Sequence, residues 1–174
     1  MGNRAVITDE SKGCGIYIHW NGGIDSIKAF AKYCELRGFR GFPDGYGMAR
    51  LTQVIANFFG GDLSIGIVSD PLRWVDGCDN GLYIIKGWQI VGHYKSDRDY
   101  EGDDVKLIEW GEEKREGYDI LETIMTIDKT QPKEDQLGRE YIIEVLGTNM
   151  LEEEAKNPDL WYSAYDDDDD EEED

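Results

Sequence analysis

The sequence is poor in the residue types that carry covalent or metal chemistry. It holds three cysteines and two histidines in 174 residues. Cys14, Cys34 and Cys78 are odd in number and widely spaced, so they form no disulfide framework, and a reducing cytosol is the simplest context. There is no C-x-x-C, no H-E-x-x-H and no complete G-x-G-x-x-G. These absences predict a non-enzymatic protein without metal or cofactor. A Cys–His nucleophile pair remains open by content alone. Apolar runs are also short. None approaches the roughly 18 residues of a membrane helix, so no membrane association is expected. The segment MGNRAVITDE lacks the apolar stretch of a secretory signal, and Val6 stands where a myristoylation motif needs Ser or Thr. A soluble intracellular protein is the expectation.

Positive charge is scarce in one part of the chain only. Residues 1–100 contain 11 Lys+Arg and 11 Asp+Glu, whereas residues 101–174 contain 7 and 27, so the second segment carries the whole net charge of -20. The nine residues Asp166 to Asp174 are all acidic. A partner for such a segment must be basic. Direct nucleic-acid binding is disfavoured, because phosphates are repelled where basic proteins release counterions.

What is present is enough apolar material for a core, at 40% hydrophobic and 11% aromatic. Arg4 to Thr8 reads as an edge strand, followed by a polar hairpin and a second strand over Ile16 to Trp20. A helix is expected over Asp25 to Arg37. Its apolar face is Ile27, Phe30, Ala31 and Cys34, Ser26 lies off that face, Asp25 is the N-cap and Gly38 follows its C-terminus. A second helix is expected over Tyr46 to Phe59, with Met48, Leu51, Val54, Ile55 and Phe58 on one face. Leu63 to Val68 reads as a strand whose Gly66 suggests a bulge or close backbone approach. Ser69 to Gly81 reads as loop, Leu82 to Lys86 and Trp88 to Tyr94 as strands, and Val105 to Trp110 as one more. A third helix is expected over Asp119 to Lys129, Tyr141 to Leu146 reads as strand or short helix, and Leu151 to Lys156 as a helical turn. The expected fold is α+β: one domain over 1–158, a mostly antiparallel or mixed sheet packed by about three helices, and an acidic low-complexity tail over 159–174.

Several constellations have both a chemical and a plain reading. His19-Trp20-Asn21-Gly22-Gly23 leads from a strand into a helix, whose free N–H groups favour anions; a small enzyme or ligand-binding domain would use it. The plain reading is a tight turn that needs glycine. Asp97 to Gly102 resembles the start of a calcium loop, but Ile108 occupies the position of the bidentate Glu, so a solvated acidic loop is preferred. Arg50, Gln53 and Asn57 lie at i, i+3, i+7 on one side of the second helix and either read a polar partner or form a solvated face.

Trp161, Tyr162 and Tyr165 precede the acidic run that opens with Asp166, Asp167, Asp168, Asp169 and Asp170. Spaced negative charges imitate phosphates and flanking aromatics imitate stacked bases, so this segment suits a Lys/Arg-lined groove built for nucleic acid. The competing reading is a solubilising tail. Asp103, Asp104, Glu112, Glu113, Glu152, Glu153 and Glu154 would extend the imitation.

The run GIYIHWNGGIDSIKAFAKYCELRGF, continuing through YGMARLTQVIANFFGG, LSIGI and DNGLYIIKGWQIV, resembles a family of small proteins carried by phages and plasmids of gut Firmicutes. The resemblance covers about residues 3–94 and implies kinship with anti-CRISPR inhibitors of type II Cas nucleases. The acidic final third departs from the shared part. The implied partner is a basic nucleic-acid-binding protein, a type II Cas nuclease with or without guide RNA. The implied location is the cytoplasm of the bacterial host.

Overall fold

Strand β1, Ala5–Thr8, is buried along its whole length and sits inside the sheet, not at its edge. Its consecutive apolar residues Ala5, Val6 and Ile7 are covered on both faces, as an internal strand requires. The computed structural model describes residues 2–61, 64–97, 105–111 and 119–156, with backbone alone over 148–156. The remaining strands are β2 Gly15–Ile18, β3 Ile65–Val68, β4 Leu82–Lys86, β5 Gln89–Ser96 and β6 Leu107–Glu109. They form one mixed sheet in the order β3-β2-β1-β4-β5-β6. β1 and β4 are parallel, and the other neighbouring pairs are antiparallel. The expected α+β class with a mixed sheet holds.

Five helices are described, two more than expected: α1 Ile24–Leu36, α2 Gly45–Phe59, α3 Pro71–Val75, α4 Ile120–Thr130 and α5 Arg139–Lys156, with a 3-10 turn at Lys133–Asp135. α3 forms within the stretch read as loop. α5 resolves the ambiguity at Tyr141 to Leu146 in favour of helix. Ile142 and Leu146, four residues apart, are both buried, while Tyr141 and Ile143 stay exposed, which is helical spacing.

α1 is the central helix. Phe30, Tyr33 and Cys34 are buried, and so are Asp25 and Ser26, because the sheet and α4 cover most of its circumference. Gly23, not Asp25, is its N-cap, and no side chain caps it. Gly38 has φ 68° and follows the helix as expected. α2 starts at Asp44, whose carboxylate accepts the Tyr46 N–H at 2.7 Å. Neither alternative expected at Gly66 is found: β2 and β3 pair in continuous register, no atom lies within 4 Å of a Cβ placed on Gly66, and the register shift lies between Ile84 and Ile85 instead.

The two sheet faces hold separate apolar clusters. One joins Ile7, Ile16, Ile18, Tyr83 and Ile85 to α1, α2, α4 and α5. The other contains Val6, Val68, Leu82 and Ile84, with Val75 of α3 and Cys78 after it. Among the described residues no helix is long and apolar enough to cross a membrane.

Candidate functional site

The turn at His19–Gly23 is filled by the chain itself. The Gly22 N–H donates to the Asn3 carbonyl at 2.8 Å, and the Asn3 N–H donates to the His19 carbonyl at 3.1 Å. A Cβ on Gly22 would lie 2.6 Å from the Asn3 carbonyl oxygen, so the turn needs glycine for backbone approach. The carboxylate of Asp25 sits buried in the first turn of α1, where the helix dipole favours negative charge. His19 Nδ1 lies 3.0 Å from the Tyr17 hydroxyl. These contacts fit the plain reading of the turn.

The other chemistry-bearing residues are likewise packed. His93 lies between the rings of Tyr83, 4.0 Å away, and Trp110, 4.5 Å away, and its Nε2 donates to the Asn80 carbonyl at 2.7 Å. Cys34 is fully buried, and burial pushes its thiol pKa up. Burial also raises the Cys78 thiol, to about 11, while its sulfur donates to the Trp74 carbonyl at 3.1 Å. Among the described residues no group of His, Cys, Asp and Glu is placed to hold a metal ion. Of the acidic loop beginning at Asp97, the segment 98–104 lies outside the described residues.

Arg50, Gln53 and Asn57 meet at a cavity. It lies where α2, the C-terminal end of α1 and the segment after α4 converge, has a volume of about 110 Å³ and opens to solvent. Arg37, Phe39, Gln131 and Asp135 complete most of its lining. None of these four was singled out from the sequence. Arg37 and Asp135 are 98 positions apart, so no local pattern links them.

The walls are held by long-range contacts. Arg37 Nη2 donates to Asp135 Oδ1 at 3.1 Å, and the Arg37 side chain is only 16% exposed. Gln131 is buried. Its amide nitrogen donates toward the Val54 carbonyl at 3.2 Å and the Ile127 carbonyl at 3.1 Å, and its Oε1 accepts from Asn57 Nδ2 at 2.9 Å. Phe39 is placed by a backbone crossing. The Trp88 indole donates to the Phe39 carbonyl at 2.8 Å, and Phe42 and Gly87 exchange two backbone hydrogen bonds of 3.0 and 2.9 Å. A Cβ on Gly41 would lie 2.6 Å from the Gly87 backbone, so this crossing also requires glycine.

Two guanidinium groups share the Phe39 ring, Arg37 at 5.2 Å and Arg50 at 5.6 Å from its centroid. Arg37 is neutralised by Asp135. Arg50 donates to Gln53 Oε1 at 2.8 Å and, among the described residues, has no carboxylate partner. The cavity is therefore cationic on a protein of net charge -20.

Asp103, Asp104, Glu112, Glu113, Trp161, Tyr162, Tyr165 and Asp166 to Asp170 lie outside the described residues. Glu152, Glu153 and Glu154 belong to the backbone of α5. The structure thus brings together the basic and amide candidates Arg50, Gln53 and Asn57. Comparison with family models, with curated proteins and with solved structures returns no match for this chain.

Proposed function

We propose that the chain is a non-enzymatic acidic inhibitor that docks on a basic nucleic-acid-binding protein. The partner class that fits best is a type II Cas nuclease, with or without guide RNA. The observation that carries this reading is the charge partition: residues 101–174 hold 27 acids against 7 bases, and residues 1–100 are balanced. A nuclease of that class holds its heteroduplex in a positively charged channel and reads the adjacent duplex with arginines. Carboxylates spaced along a chain present to such a groove the charge that phosphates would present. Opposite fields speed encounter, and the same repulsion that keeps DNA away from the inhibitor keeps DNA out of the occupied groove.

The test is DNA loading and cleavage by the guide-loaded nuclease with the full chain in molar excess, at low and at raised salt. Loading is expected to fail at low salt and to recover as screening rises. Deleting residues 159–174 is expected to weaken inhibition by about tenfold or more, since roughly 1.4 kcal/mol of lost charge pairing suffices for that. Full loading and cutting with inhibitor in excess would overturn the proposal. Undiminished inhibition by the truncated chain would return the acidic tail to a solubilising role.

A further inference from the structure

We infer that the cavity between α1, α2 and the segment after α4 is a binding site for one oxyanion group, a phosphate or a carboxylate. Arg37 and Arg50 approach one ring, and among the described residues only Arg37 has a carboxylate partner, Asp135. Asp135 offsets the charge of Arg37, so the charge left for an anion to pair with at the cavity border is that of Arg50. Arg50 uses one of its five N–H donors on Gln53, which leaves a planar fork of the geometry that oxyanions accept. The Gln53 carboxamide, whose oxygen accepts from Arg50, stands beside it as a neutral N–H donor, and Asn57, whose Nδ2 already donates to Gln131, has one further N–H. The volume of about 110 Å³ is enough for one such group.

The walls are preorganised. Gln131 ties α4 to α2 through buried hydrogen bonds, and the Arg37–Asp135 pair ties α1 to the 3-10 turn. Arg37 and Asn57 are thereby held in place before a ligand arrives, which lowers the ordering cost of binding. The site is independent of the inhibitor reading, because it uses none of the acidic candidates and its test needs no partner protein.

The experiment is a titration of the nitrogen-labelled full chain with sodium phosphate and, separately, with sodium acetate. Both run at constant ionic strength against sodium chloride. The side-chain N–H signals of Arg37, Arg50, Gln53 and Asn57 are followed. Saturable shifts confined to these groups with phosphate or acetate support the site, and the stronger of the two identifies the oxyanion class. Arg50→Gln is expected to raise the half-saturating concentration about tenfold, the loss of one charge-assisted hydrogen bond. Arg50 is exposed, so the unchanged backbone spectrum of this variant verifies the fold. A linear drift with both anions, a response equal to that of chloride, or unchanged affinity in Arg50→Gln would overturn the inference.

Discussion

On one face of the sheet, Phe30 and Tyr33 of α1 and Leu51 and Ile55 of α2 are each at most 1% exposed. On the other, the five-residue α3 buries Val75 but leaves Trp74 47% exposed. Tyr17, on the same side, packs its ring 5.1 Å from Trp74. The first face is covered by α1, α2, α4 and α5, and the second, among the described residues, only by the short α3. Burial of apolar area is the main source of stability, so the helix-covered face sets the stability of the described body. The α3 face is the thinner one, and substitutions there are expected to be tolerated better. The candidate anion site belongs to the first face, where fixed walls are available.

The sharpest way to break this comparison is a set of three truncations. Phe30→Ala removes a ring that packs edge-on against Phe58, 5.3 Å away between centroids, and is expected to cost about 3–5 kcal/mol in urea unfolding. Asp128→Ala comes next. The Asp128 carboxylate is buried and accepts from the Tyr33 hydroxyl at 2.8 Å and from the backbone N–H groups of Leu137 at 2.7 Å and Gly138 at 3.0 Å. Removing it strands these donors, and about 3 kcal/mol is the expected loss. Val75→Ala, on the α3 face, is expected to cost only about 1.5 kcal/mol, the transfer energy of two methylene equivalents. Equal costs for Val75→Ala and Phe30→Ala in the same unfolding experiment would refute the difference between the faces.

Alkaline pH gives the smallest and most graded comparison. Burial raises the thiol of Cys34 on the helix-covered face, and raises that of Cys78 on the α3 face to about 11, both from an ordinary 9.0. Burial, then the bond to Asp128, also raises Tyr33 from its ordinary 10.0. A raised folded-state pKa favours the protonated fold. The contribution of the thiols is complete below pH 9.0 and is lost as pH climbs from there toward each folded-state value. The urea midpoint is therefore expected to stay flat on this account up to about pH 9 and to fall beyond it. Cys34→Val is expected to flatten the decline more than Cys78→Val does. A midpoint that rises between pH 9 and pH 11 would contradict the assignment.

Helices α1, α2 and α4 were legible because their apolar residues recur at helical spacing and punctuation stands at their ends. Gly38 follows α1, Gly60 caps α2 at φ 67°, and Asp119 caps α4 by accepting from Leu121 and Glu122. The strands β4, β5 and β6 were legible from β-branched and aromatic runs, though not their pairing. The position of β1 was not. An apolar strand of four residues reads alike at an edge or in the middle, and only its parallel pairing with β4, more than seventy positions away, decides. Asp25 was misplaced as a cap because a short acidic residue near a helix start has the same local signature whether it caps or lies buried in the first turn. Of the candidate site, the i, i+3, i+7 row of Arg50, Gln53 and Asn57 was visible. The other wall was not, since Gln131 and Asp135 reach it only through the packing of α4 on α2 and α1.

By itself the sequence determined the α+β class, the main helices and the uneven distribution of charge, because periodicity, capping and ionisation are local properties. Tertiary structure decided which strand lies at the centre, which face of the sheet is thick, and where two arginines converge on Phe39. Those outcomes depend on contacts between residues tens of positions apart, and nothing in the local pattern of either partner encodes them.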